Sequence, residues 1–175
     1  MIKQVSIFDL DGTTIDSSHR QVTDSKGNLD LAKWFENATP SKIFKDKVLP
    51  LSLQIRRRQK KGDYTIVHTA RNMTYADYEF LMENGICPNK IISRPKGNMV
   101  ADGVLKRKQL SSLFNLKPFK KANKVIFDDN KEVRNELKQP EYGFSTVTED
   151  SELISDDVLF SKYQKFIRDR LTSCV

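Results

Sequence analysis

Cysteine is scarce in this 175-residue chain: Cys87 and Cys174 are the only two. Two thiols so far apart give neither a disulfide framework nor the paired spacing of a zinc site, and they fit a reducing compartment best. No apolar run approaches the ~20 residues of a membrane-spanning helix. Met1-Ile2-Lys3-Gln4 leads directly into a strand-like run, so no secretory leader is expected and a cytoplasmic setting is. Internal repeats, low-complexity tracts and linkers are missing, and the length suits one domain over 1–175. The Gly-x-x-x-x-Gly-Lys-Ser/Thr loop is absent too, which argues against a kinase of that type.

What is present is charge. Thirty Lys and Arg oppose 23 Asp and Glu, for a formal net charge of +7. That balance suits an anionic partner such as nucleic acid or nucleotide, although a basic solvated surface gives the same count. Hydrophobic residues make up 38% of the chain. They recur in runs throughout, and a chain of this size can bury about two-thirds of its unfolded surface.

The runs Val5–Phe8, Tyr64–His68, Lys90–Ser93 and Lys124–Phe127 read as strands, with a weaker fifth at Gly143–Val147. Between them lie segments of helical period. Leu31, Trp34 and Phe35 mark one helix, and Ile43, Phe44, Val48, Ser52 and Ile55 a longer one. Tyr75, Tyr78, Leu81 and Met82 mark a third, opened by a capping box at Thr74–Asp77. Leu105, Leu110, Leu113 and Phe114 mark a fourth, Val133 and Leu137 a short fifth, and Leu159, Tyr163, Phe166 and Ile167 a C-terminal one. Strands alternating with helices imply a parallel sheet of about five strands, doubly wound, in an α/β domain. The polar stretch from Asp16 to Asn28 reads as a loop placed to overhang the first strand's end.

The chemistry gathers where the runs end. The first ends at Asp9 and Asp11, followed by Gly12 and two threonines; the second at Thr69 and Arg71; the third at Arg94; the fourth at Asp128 and Asp129. A parallel sheet places these ends on one edge, where ligands bind. Carboxylates bind a hard cation and arginines a phosphate, so the mixture suits Mg²⁺-assisted phosphoryl transfer.

Asp9-Leu10-Asp11-Gly12-Thr13 resembles the first motif of the haloacid dehalogenase superfamily. Thr69 resembles its second motif, Lys106 its third, and Asp128-Asp129 its fourth. The resemblance implies that Asp9 is the nucleophile and Asp11 the general acid and base. It also implies that Lys106 neutralises charge and that Thr69 holds a phosphoryl oxygen. Mg²⁺ would be bound by Asp9, Asp11 through its carbonyl, and Asp128, with Asp129 beside it. Lys108 is a rival to Lys106 on position alone.

Within the superfamily the chain is similar to the 3′-phosphatase domain of bacteriophage polynucleotide kinase/phosphatases. Arg20, Arg71 and Arg94 match arginines of that group, which the resemblance makes phosphate contacts. Asp102 matches an aspartate that orients a neighbouring cation. Asn130 departs from the pattern, standing where the group often has an arginine. The segment between the first two motifs leaves no room for a large cap. The resemblance thus favours a Mg²⁺-dependent phosphatase acting on a 3′-phosphate at a DNA or RNA end. A nucleotidase acting on (deoxy)nucleoside monophosphates is the alternative, and a phage binding or inhibitory protein on the same fold is a third. If the chain is phage-encoded, the setting is the host cytoplasm. No obligate protein partner is implied. Trp34 or Phe35 is a candidate to stack on a base, against a core role. His68, inside a strand run, reads as structural, and Arg56-Arg57-Arg58 with Lys60-Lys61 as a helix end.

Overall fold

The computed structural model describes residues 1–138 apart from Asn28, together with the backbone of a strand at Thr146–Thr148. The C-terminal helix expected around Leu159 to Ile167, and Cys174, lie outside the described residues.

Among the described residues, seven strands and six α-helices follow in order. They are β1 (Gln4–Phe8), β2 (Ile15–Asp16), α1 (Leu31–Glu36), α2 (Pro40–Ile43), β3 (Lys47–Val48), α3 (Ser52–Lys60) and β4 (Tyr64–His68), then α4 (Tyr75–Glu83), β5 (Lys90–Ile92), α5 (Asp102–Phe114), β6 (Asn123–Phe127), α6 (Lys131–Leu137) and β7 (Thr146–Thr148). A short 3₁₀ turn spans Ser18–Arg20. Five strands form one parallel sheet in the order β5-β4-β1-β6-β7. β7 covers the end of the weak run at 143–147 and runs one residue past it.

The sheet is buried on both faces, which is why its strands read as continuous apolar runs. Val67 and Phe127 face a core that includes Ile55 of α3 and Phe80 and Leu81 of α4. Val5, Ile7, Ile66 and Ile126 face the other way, onto Leu110 and Phe114 of α5 and Val133 and Leu137 of α6. Phe8 and Phe127, paired across β1 and β6, stack with ring centroids 4.7 Å apart. Successive strands run outward from β1 to β5 and then restart on the other side at β6. The reversal lies between β1 and β6, where α/β sheets open a crevice at the strands' carboxyl ends.

One expected element is differently built. The longer helix from Ile43 to Ile55 is two helices, α2 and α3, separated by β3. Pro50 has no N–H to donate and pushes Leu49 toward an extended conformation, so a helix cannot run through it. Instead Leu49 N–H bonds Thr14 C=O at 2.9 Å, and Val48 pairs with Ile15. This two-stranded ribbon pins the 15–48 excursion to the end of β1. At the start of α4 the capping box forms as expected: Thr74 Oγ1 accepts from Asp77 N–H, and Asp77 Oδ2 accepts from Thr74 N–H at 2.7 Å.

Candidate active site

Asp9 is the first residue past β1, anchored by its N–H to Phe127 C=O at 2.8 Å. The chain then turns at Gly12, whose φ of +78° suits glycine. Thr14 Oγ1 donates toward Asp9 C=O at 2.9 Å and locks the turn. Asp128 is the first residue past β6 and is fully buried. Thr13 Oγ1 donates to Asp129 Oδ1 at 3.0 Å and accepts from Asp129 N–H at 3.1 Å. Neighbouring strand ends therefore bring the two aspartate pairs together.

Lys106, on the second turn of α5, enters this group from the side. Its Nζ donates to Asp9 Oδ1 at 2.5 Å and to Asp128 Oδ2 at 2.7 Å, and it is buried. Lys108 is exposed. The two carboxylates hold the Lys106 ammonium well above its ordinary pKa despite its burial. Asp9 moves upward too, because burial outweighs the attraction of Lys106 and Asp128 adds repulsion. One cation thus does not balance the cluster. One oxygen from each of Asp9, Asp128 and Asp129 lies within 4.8 Å of the others, a spacing suited to a hard divalent ion.

Asp11 has partners of its own. Arg71 grips it through two donors: Nε to Oδ2 at 3.2 Å, and Nη2 to Oδ1. Ser17 Oγ adds a bond to Oδ1 at 2.5 Å. Burial raises the Asp11 carboxyl, but Arg71, these hydrogen bonds and Arg20 outweigh it and hold it below the usual range. Thr69 Oγ1, just past β4, accepts from Arg71 N–H at 2.9 Å.

The open cleft is lined by Asp9, Asp11, Thr69, Arg71, Asp102, Lys106, Asp129 and Asn130. Gln21, Leu29, Leu31 and Trp34, from the excursion between the first two motifs, line it as well. That excursion is held in shape: Asp30 N–H bonds Val22 C=O at 2.8 Å, Asp30 caps α1 through Lys33 N–H, and Asn37 Nδ2 donates to Arg20 C=O at 2.8 Å. Asn130 Oδ1 caps α6 through Glu132 N–H at 2.9 Å.

Two arginines expected at the cleft are not on its lining. Arg20 is buried and donates from Nε and Nη2 to Asp46 at 3.0 Å each, with its guanidinium 4.3 Å from the Trp34 ring centroid. Arg94 is buried as well. Its donors reach Ala70 C=O at 2.7 Å, Asn98 C=O at 3.0 Å, Val100 C=O at 2.7 Å and Asp102 at 2.5 Å, clamping the loop before α5. Asp102 accordingly partners Arg94, and Lys106 has other partners. Sequence reasoning also missed Asp46 and Asp77, both buried around Arg71. Asp77 was visible only as a capping residue; Asp46, in an irregular stretch, carried no signal.

Comparison with known proteins agrees with this geometry. Residues 1–172 match the model of the bacteriophage T5 5′-deoxynucleotidase family. The 5′-deoxynucleotidase of Escherichia phage T5 is 40% identical over 89 residues, covering 49% of this chain and 36% of that protein. The chain thus spans about a third of that relative's length. Two solved structures share the fold. One is a chain of the Pnkp1/Rnl/Hen1 complex, with a TM-score of 0.57, 18% identity, and coverage of 83% of this chain and 45% of that one. The other is a haloacid dehalogenase-like hydrolase from Streptococcus pneumoniae, with a TM-score of 0.56, 15% identity, and coverage of 93% and 91%. The chain has a haloacid dehalogenase fold and belongs to the bacteriophage T5 5′-deoxynucleotidase family.

Proposed function

We propose that this protein is a Mg²⁺-dependent phosphatase that removes the phosphate from 5′-deoxynucleoside monophosphates. The observation that carries the reading is the mixed lining of the cleft. Its ionic residues suit a phosphate; Leu29, Leu31 and Trp34 with the Gln21 amide suit a nucleoside. The family match and the phage T5 relative point to the same substrate class, and a phage relative fits a host-cytoplasm setting.

In this reading an Asp9 carboxylate oxygen attacks phosphorus, and the bond from phosphorus to the nucleoside oxygen breaks. Asp11 protonates the departing oxygen. Asp11 then takes a proton from the water that hydrolyses the aspartyl-phosphate, returning Asp9 and releasing inorganic phosphate. Asp11 is held ionised by Arg71, and the negative charge of an arriving phosphate opposes that hold and favours its protonation. Thr69 and Lys106 hold phosphoryl oxygens. Asp9, Asp128 and the Asp11 carbonyl would hold Mg²⁺, with Asp129 beside them, and the ion would supply neutralisation of phosphate charge.

A 3′-phosphorylated nucleic-acid end loses support as the first choice. Of the three arginines that favoured it, Arg20 and Arg94 are engaged elsewhere. The test compares kcat/KM for 5′-deoxynucleoside monophosphates, a 3′-phosphorylated oligonucleotide and p-nitrophenyl phosphate, with Mg²⁺ present. The mononucleotides are expected to be favoured, and Asp9→Asn should abolish turnover of all three. Full activity of Asp9→Asn would overturn the mechanism, and preference for the oligonucleotide would overturn the substrate.

A further inference from the structure

Arg71 belongs to a buried ionic group whose other members, Arg20, Asp46 and Asp77, the phosphatase reading does not use. Arg71 reaches three carboxylates: Asp11, Asp77 Oδ1 from Nη1 at 2.5 Å, and Asp46 Oδ2 from Nη2 at 3.2 Å. Asp46 also takes both contacts from Arg20, and Arg20 Nη2 lies 4.0 Å from Asp77 Oδ1. Trp34 roofs the group, with Arg71 Cζ 5.5 Å from its ring centroid. The side chains of Arg20 and Asp46 are 0% exposed and those of Arg71 and Asp77 1%, whereas Asp11 keeps 22%.

These residues come from separate places: the end of β1, the 3₁₀ turn, the residue before β3, the loop after β4 and the first turn of α4. Burying two arginines and two aspartates is seldom the most stable way to fill such a volume, and well-packed apolar residues often do better. Asp46 and Asp77 balance the two arginines in charge, so Asp11 is the partner left over. The guanidinium of Arg71 is held by Asp77 and Asp46, while Nε and Nη2 donate to Asp11, which lines the cleft. Of its five N–H bonds, four already point at carboxylates.

We infer that Asp46 and Asp77 are positioning residues. They lock the Arg71 guanidinium so that it aims the Asp11 carboxylate at the leaving oxygen, and Arg71 serves Asp11 and not the substrate phosphate. This inference rests on the phosphatase reading above, with Asp11 as the group that protonates the leaving oxygen.

Asp46→Asn and Asp77→Asn keep side-chain shape and remove one charge each. A nucleoside oxygen is a poor leaving group and needs its proton; p-nitrophenolate does not. General acid catalysis contributes on the order of 10²–10⁴, so kcat/KM toward a 5′-deoxynucleoside monophosphate should fall about tenfold or more in each variant. The loss toward p-nitrophenyl phosphate should be much smaller, and the inhibition constant of inorganic phosphate should stay near its wild-type value. Equal losses on both substrates, with weaker inhibition by phosphate, would overturn the inference by making Arg71 a phosphate contact. Wild-type kinetics in the folded variants would overturn it too. Should either variant fail to fold, Arg20→Lys keeps the charge balance, gives up the two-pronged contact with Asp46, and is read in the same way. Failure of the phosphatase reading is separable, because it would leave the wild-type protein inactive on both substrates.

Discussion

Gly12 carries more than a turn. A Cβ added there would lie 2.4 Å from Asp129 Oδ2, and the backbone already sits at φ +78°. Gly12→Ala is therefore expected to cost about 1–2 kcal/mol from the left-handed conformation alone, measured by urea unfolding. It should also displace Asp129 and weaken Mg²⁺ binding in calorimetric titration; unchanged stability together with unchanged binding would refute the account. At this scale the motif residues were legible, because a costly pair of carboxylates at a strand end stands out in a sequence. Their partners were not. Asp46 and Asp77 gain meaning only beside Arg71, 25 and 6 residues away. Arg20 matches a phosphate contact by resemblance, and only its burial against Asp46 shows it engaged elsewhere.

Between β4 and α5, His68 and Gln109 tie the sheet to the helix that carries Lys106. Gln109 Oε1 lies 2.9 Å from His68 Nε2, and Gln109 Nε2 donates to Ser93 C=O at 2.9 Å. The second contact fixes the amide, so His68 is the donor through Nε2. Burial first, and then the charge of Lys106, push the His68 pKa down to about 3. The folded protein therefore stays unprotonated there while the unfolded chain takes up a proton below its ordinary pKa near 6.5. Stability consequently falls as pH drops from about 6.5 toward 3. Between pH 7 and 5 this one group should account for about 2 kcal/mol of the loss. His68→Gln, which retains a donor for Gln109, should show a correspondingly shallower loss in denaturant unfolding at the two pH values; an equal loss would refute the assignment. The buried strands and most helices were legible as elements, since their periods are local. The break at Pro50 and the β2–β3 ribbon were missed because a helical spacing of Ile43, Val48 and Ile55 survives in projection although the chain does not follow it.

Among the described residues the cleft lining holds two cations, Arg71 and Lys106, beside four carboxylates, Asp9, Asp11, Asp102 and Asp129, so the chain's +7 is not expressed there. Arg20, Arg71, Arg94 and Lys106 are each matched to carboxylates, and Arg57, Arg58 and Lys60 sit in the last turn of α3. A substrate with one phosphate engages few of these charges. The logarithmic salt dependence of kcat/KM for a mononucleotide should therefore have a slope no steeper than about −1, with larger slopes reserved for polymers that contact several phosphates. A steep slope, with a polymer preferred, would restore the nucleic-acid end as substrate. The sequence by itself determined the sheet and the order of the four motifs, because apolar runs and strand-end carboxylates are local patterns. Only the tertiary structure decided which cations face the substrate and which face other carboxylates. That choice depends on burial and on contacts between residues far apart in the chain, where a single ångström separates a partner from a bystander.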